Sequence, residues 1–211
     1  PYDHVRTVIA DTSSLGFNDV TDGSRVTFAV GLATIKAARA AIDEMCGRVA
    51  KLWGIDPDAV VWEDGYAKPA GANAGQHDPM SIQEIAAIAG STGGPIAGHH
   101  EVNAEGAGVS FGVHLCDTEV DPETGATTVL RYTVFQDAGK AVHPDYVEGQ
   151  MQGGAVQGIG WALNEEYIYG EDGRLQNPGF LDYRVPVASD LPSIETVILE
   201  IPNPGHPYGV R

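Results

Sequence analysis

Two alternating runs, SFGVHLCDTEV (residues 110–120) and ATTVLRYTVFQD (126–137), stand on either side of DPETG. Apolar and β-branched residues recurring at every second position read as strands. A short loop with Asp, Pro and Gly between them reads as the connection of an antiparallel hairpin. No other feature constrains the fold as much, because a hairpin of this length needs other elements to cover one of its faces.

The rest of the chain supplies candidates. The spacing predicts a long helix from about Thr27 to Trp53, with Ile35, Ile42, Met45, Val49 and Leu52 on one face. DPDAVVWEDGYAKP reads as a short hairpin turning at Asp64-Gly65, and Ser81-Ile82-Gln83-Glu84 has the capping-box form, opening a helix that Gly90 would stop. VRTVIAD (residues 5–11) and ETVILEI (195–201) read as strands, and EEYIYGEDGRLQN as a second hairpin. Long hairpins with separate helices indicate an α+β fold, and nothing in the pattern indicates alternating βαβ units. The 211 residues form one unit, 1–211, with possible sub-lobes at about 1–108 and 109–211. The loops near 66–80 and 90–108 are long enough to signal function or a surface that packs on a partner.

A second feature conflicts with itself. VEGQMQGGAVQGIGWALNEE (147–166) carries an i, i+4 stripe of Val147, Met151, Ala155, Ile159 and Ala162, yet Gly149, Gly153, Gly154, Gly158 and Gly160 interrupt it. Each glycine weakens a helix by roughly 1 kcal/mol relative to alanine. Gln150 and Gln157, seven residues apart, fall within about 20° of one another and about 10 Å apart along the axis. Gly154 and Gly158 lie between them on that face and leave it bare. A bare stripe admits either another backbone or a flat ligand, and a glutamine amide offers the donors and acceptor that suit a heteroaromatic edge. Local sequence leaves both readings open.

TDGSRVTFAVG (21–31) is the other candidate. A Gly-Ser-Arg turn runs directly into the predicted helix, so free N–H groups and the helix dipole face the loop. Hydroxyls of Ser24 and Thr27, with Arg25, can hold a phosphate there. A plain N-cap beside a surface arginine is the competing reading.

Composition narrows the functions. The net charge of −17, from 29 acidic and 12 basic residues, repels nucleic acid and anionic membrane surfaces. No apolar run is long enough to span a bilayer, and PYDHVRTVIAD has no signal-peptide layout. Cys46 and Cys116 are isolated, which disfavours an iron–sulfur or structural zinc site in this chain and fits a reducing, cytoplasmic compartment. The His99-His100 pair and His143 lack metal-ligand spacing, so no metal ligand is assigned. GGAVQGIG and DAGKAV fail as nucleotide fingerprints. Acidic pairs such as Glu165-Glu166 or Asp117-Glu119 do not single out an acid–base couple.

Taken in order, NDVTDGSRVTFAVG, DTEVDPETGATTVLRY, VEGQMQGGAVQGIGWALNEE, NPGFLDYRVP and NPGHPYGVR resemble the molybdenum-binding subunit of the xanthine dehydrogenase and aldehyde oxidoreductase family, the molybdenum hydroxylases. The resemblance covers nearly the whole chain and implies the C-terminal half of a larger molybdopterin-binding subunit. It implies that the helix with Gln150, and secondarily Gln157, lies against a molybdopterin cofactor carrying molybdenum. It also implies that Gly23-Ser24-Arg25, with Thr27, cradles the phosphate end, in bacterial members usually of the cytosine dinucleotide form. The implied chemistry oxidises an aldehyde or N-heteroaromatic substrate with water as oxygen source. Partners implied are the remaining half of the subunit and iron–sulfur and flavin subunits carrying [2Fe-2S] and FAD. Two departures accompany it. The family's catalytic glutamate follows G-V-R/K in a G-x-G-E context, which places it beyond Arg211, so no catalytic residue is assigned here. The glycine-rich segment and arginine that serve the metal from the first half are also missing upstream of Pro1. The chain therefore reads as a fragment or as part of a split subunit. Two alternatives stand: a non-catalytic interaction subunit of an oxidoreductase complex, and a subunit of an aromatic-thioester (hydroxybenzoyl-CoA-type) reductase.

Overall fold

The computed structural model describes residues 2–211. Helix α1 spans Val26–Trp53 and ends at Gly54, whose φ of 68° is the left-handed conformation that closes a helix without a Cβ penalty. Its C-terminal half packs on a small antiparallel sheet of β1 (Val60–Glu63), β2 (Tyr66–Pro69) and β3 (Met80–Ser81). The β1–β2 turn falls at Asp64-Gly65, both at positive φ as a two-residue hairpin requires. Ser81 and Glu84 form the expected capping box at the start of α2 (Ile82–Ala87). Met45, Cys46, Val49, Ala50, Val60, Ala67 and Ile85 close the first core.

The second core belongs to the long hairpin. Strands β4 (Gly112–Val120) and β5 (Thr127–Asp137) pair antiparallel, with a bulge between Asp117 and Thr118. Helix α4 (Pro144–Leu163) then returns the chain, so that β6 (Ile194–Leu199) lies parallel to β5. Met151 and Ala155 of α4 pack with Val134 and Ile194 of the sheet. Burying a large apolar side chain contributes roughly 1.5–3 kcal/mol, and this packing offsets the helix cost of the glycines.

The mixed content with small sheets agrees with the α+β expectation, and several local expectations are corrected. The β5–α4–β6 crossover is a βαβ unit that the pattern did not indicate. Residues 5–11 form no strand: Val5 and Ile9 are 66% and 78% exposed, and no neighbouring strand pairs with the segment. Gly90 does not stop the second helical stretch, which continues as α3 (Ala89–Thr92) to Gly93 and Gly94, both at positive φ. The hairpin expected at 165–177 is reduced to the single bridge Tyr169–Leu175. Leu52 and Ala162 are exposed, not part of their helices' buried stripes. No described helix is long and apolar enough to cross a membrane.

Candidate functional site

Helix α4 has two unlike sides. Met151 and Ala155 are buried against the sheet and Ile159 is buried as well, whereas Gly149, Gln150, Gly153, Gly154, Gln157 and Gly158 are exposed. A methyl group placed on Gly149, Gly153, Gly154 or Gly158 would meet nothing within 4 Å. The fifth glycine differs. At Gly160 a Cβ would lie 2.7 Å from Pro186 Cδ and would also overlap the Glu165 carboxylate. So Gly160 is required by close packing inside the chain, and the other four are not.

The two glutamines stand on the bare side, and among the described residues neither amide makes a hydrogen bond. Gln152 is different: its amide donates to the Ile194 carbonyl at 3.2 Å and ties the helix to β6. At one end of the bare face Tyr146 stacks on His143, with ring centroids 4.0 Å apart. Trp161, 69% exposed, stands at the other end. This surface offers a flat floor of backbone, two free amides and an aromatic ring at each end, which suits a planar polar ligand.

At the other candidate, Gly23 and Ser24 have φ of 58° and 57°, and Arg25 is the N-cap of α1 with no side-chain capping bond. The N–H groups of a helix's first turn lack intrahelical partners, so an anion has donors to meet. Thr27 is exposed beside them. The Arg25 guanidinium lies 3.4 Å from Asp19, both side chains more than half exposed. The Gly23 N–H is taken by the Asp22 carboxylate at 2.9 Å. A phosphate held here would displace Asp19 from Arg25.

The structure joins the two patches indirectly. No hydrogen bond or ion pair links Ser24 or Arg25 with Gln150 or Gln157 among the described residues; both regions meet the loop 203–211. His206 is buried, and its Nε2 lies 3.2 Å from the Phe28 carbonyl in the first turn of α1. The same loop's Gly209 carbonyl accepts from the Lys140 N–H at 2.8 Å, four residues before α4 begins. Asp137 anchors the loop. Its carboxylate accepts from the N–H groups of Gly139 and Ile201 at 3.0 and 3.3 Å and lies 3.4 Å from Arg211 Nε. These roles of His206, Asp137 and Arg211 were missed because their partners are distant in sequence; the turn residues of NPGHPYG were the only local signal.

Beyond the far end of α4, hydrogen bonding with Glu165 first, then desolvation and the charge of Glu165, hold the Tyr183 phenol up at about 12.

A family model described as the molybdopterin cofactor-binding domain matches residues 1–192. The gamma subunit of the 6-hydroxypseudooxynicotine dehydrogenase complex of Paenarthrobacter nicotinovorans is 32% identical over 196 residues, covering 89% of this chain and 24% of that protein. The large subunit of nicotine 6-hydroxylase from the same organism is 30% identical over 220 residues, covering all of this chain and 26% of that protein. The chain thus spans about a quarter of the length of these relatives. A crystal structure of the Cu,Mo-CO dehydrogenase superposes with a TM-score of 0.72 at 26% identity, over 95% of this chain and 25% of that one.

Proposed function

Because this chain belongs to the molybdopterin cofactor-binding domain family, we propose that the bare face of α4 and the first turn of α1 are two walls of its cofactor site. The observation that carries this reading is the exposed face of α4: four glycines with open space above them and two amides that make no hydrogen bond among the described residues.

In this reading Gln150 is the main contact to the pterin's heteroaromatic edge and Gln157 the second. Gly154 and Gly158 give the flat group access to backbone depth. Gly23, Ser24, Arg25 and Thr27 receive the phosphate end, with Arg25 exchanging Asp19 for the phosphate. The cofactor takes the cytosine dinucleotide form. When bound, it supplies the redox chemistry by which an oxygen atom from water is added to a substrate carbon. The chain's own residues bind the cofactor, orient it and set its hydrogen bonds.

The whole protein is then a molybdenum-dependent oxidoreductase. Its substrate is an aldehyde or, as the names of the two nicotine-related proteins favour, an N-heteroaromatic compound. It works in the cytoplasm with partner chains or domains carrying FAD and [2Fe-2S], and with the remainder of the molybdenum subunit. Two sub-lobes, at about 1–108 and 109–211, belong to the same reading, and the presence of two separate cores supports it.

The test is chemical analysis of the purified complex. About one molybdenum and one pterin nucleotide per subunit are expected, with CMP released on hydrolysis. An active complex free of both would overturn the proposal.

A further inference from the structure

Helix α1 is held firmly at one end and by very little at the other. Its buried residues Met45, Cys46, Val49 and Ala50 lie in the first core, and Phe28 is its only other fully buried apolar side chain. At 1.5 Å rise per residue, Phe28 lies about 26 Å along the axis from Met45. Between them, the backbone at Gly98 closes against Ala37 and Ala41, where no Cβ would fit. The first turn itself, with Arg25 and Thr27 exposed, depends on Phe28 for its seat.

That seat is His206. Its ring packs on the Phe28 ring at a centroid distance of 5.0 Å, and its Nε2 reaches the Phe28 carbonyl at 3.2 Å. Nδ1 accepts from the Tyr208 N–H at 3.2 Å, which leaves Nε2 as the donor in the neutral ring. The loop carrying His206 is rigidly built. Asn203 accepts from Gly205 and donates to the carbonyls of Gly106 and Ala107, and Gly209 bonds to both Asn203 and Lys140. His206 therefore transmits the position of residues 137–140, which lead into α4, to the first turn of α1.

We propose that His206 is a positioning residue for cofactor retention, fixing the phosphate-side wall at α1 relative to the pterin-side wall at α4. This rests on the two-wall reading of the site. It lies outside residues 1–192, the span matched by the family model.

The test uses the full complex and measures bound pterin nucleotide per subunit after dilution, with amide exchange in α1 as a second readout. His206→Ala is expected to retain about tenfold less pterin nucleotide, the equivalent of one hydrogen bond. Exchange should accelerate at the first turn of α1 and stay unchanged in α4. His206→Gln, which keeps a distal donor, is expected to restore retention. Wild-type retention by the alanine variant, or a glutamine variant as poor as alanine, overturns the proposal. Should the alanine variant fail to assemble, the glutamine variant decides: wild-type retention upholds the role and loss overturns it. A wild-type complex with no pterin at all would overturn the two-wall reading itself, a result distinct from any difference between variants.

Discussion

Arg211 Nε lies 3.4 Å from Asp137 Oδ2, with only 17% and 5% of the two side chains exposed. The pair closes the loop 203–211 onto the end of β5, and Asp137 also accepts two backbone N–H groups there. Removing one partner of such a shielded pair strands the other charge, which costs about 3–5 kcal/mol. Asp137→Ala is therefore expected to lower the urea midpoint of the intact subunit severely. Asp137→Asn strands the Arg211 charge as well but keeps an acceptor for Gly139 and Ile201, so it should cost less than alanine only by the value of those hydrogen bonds, about 1 kcal/mol each. Wild-type midpoints for both variants would remove the carboxylate from this role.

The five glycines of α4 should separate into two groups by stability. Gly154→Ala meets open space, so it gains helix propensity, about 1 kcal/mol. Gly160→Ala meets Pro186 and Glu165 and should destabilise by about 1–3 kcal/mol through overpacking. Denaturation of the two variants in parallel checks the opposite signs.

Titration of Tyr183 follows from its bond to Glu165. The folded value, about 12, lies above the ordinary 10. The bond's stabilisation is therefore complete below about pH 10 and lost as the pH rises through about 12. Tyrosinate absorbance should show Tyr183 among the late-titrating phenols, alongside Tyr132, which burial also raises, and Glu165→Gln should move the Tyr183 phase earlier. A Tyr183 midpoint unchanged by that substitution would contradict the pairing.

Glu44 carries the opposite sign. The Arg48 guanidinium beside it, and then the Ala97 N–H, hold its carboxyl below the ordinary 4.5. Its contribution is present above that value and lost as the pH falls through the lowered one. Glu44→Gln should flatten the acid limb of the stability profile measured by thermal unfolding. An unchanged limb would show that the carboxylate does not hold the 94–97 loop.

Features with local causes were legible in the sequence. The Asp64-Gly65 turn, the Ser81–Glu84 box, α1, the long hairpin and the start of α4 at Pro144 each follow from a short residue pattern. Pairing across distance was not legible. β6 has the composition of any strand, and only the packing of α4 decides that it runs parallel to β5. Residues 5–11 have a strand's pattern, but a strand also needs a neighbour, which residues 2–211 do not give them. The glycine face was legible as a bare surface. What separates Gly160 from Gly154 is Pro186, 26 residues downstream of Gly160. His206 was invisible for the same reason, since its partner Phe28 is 178 positions away.

The claim that α4 is a cofactor wall is tested most directly by Gly154→Leu in the full complex, with pterin nucleotide and molybdenum quantified per subunit beside the wild type. The side chain points into space that is open in this chain, so the fold should stand. The account predicts a folded complex that has lost most of its pterin and metal. A folded variant with wild-type content of both would contradict it.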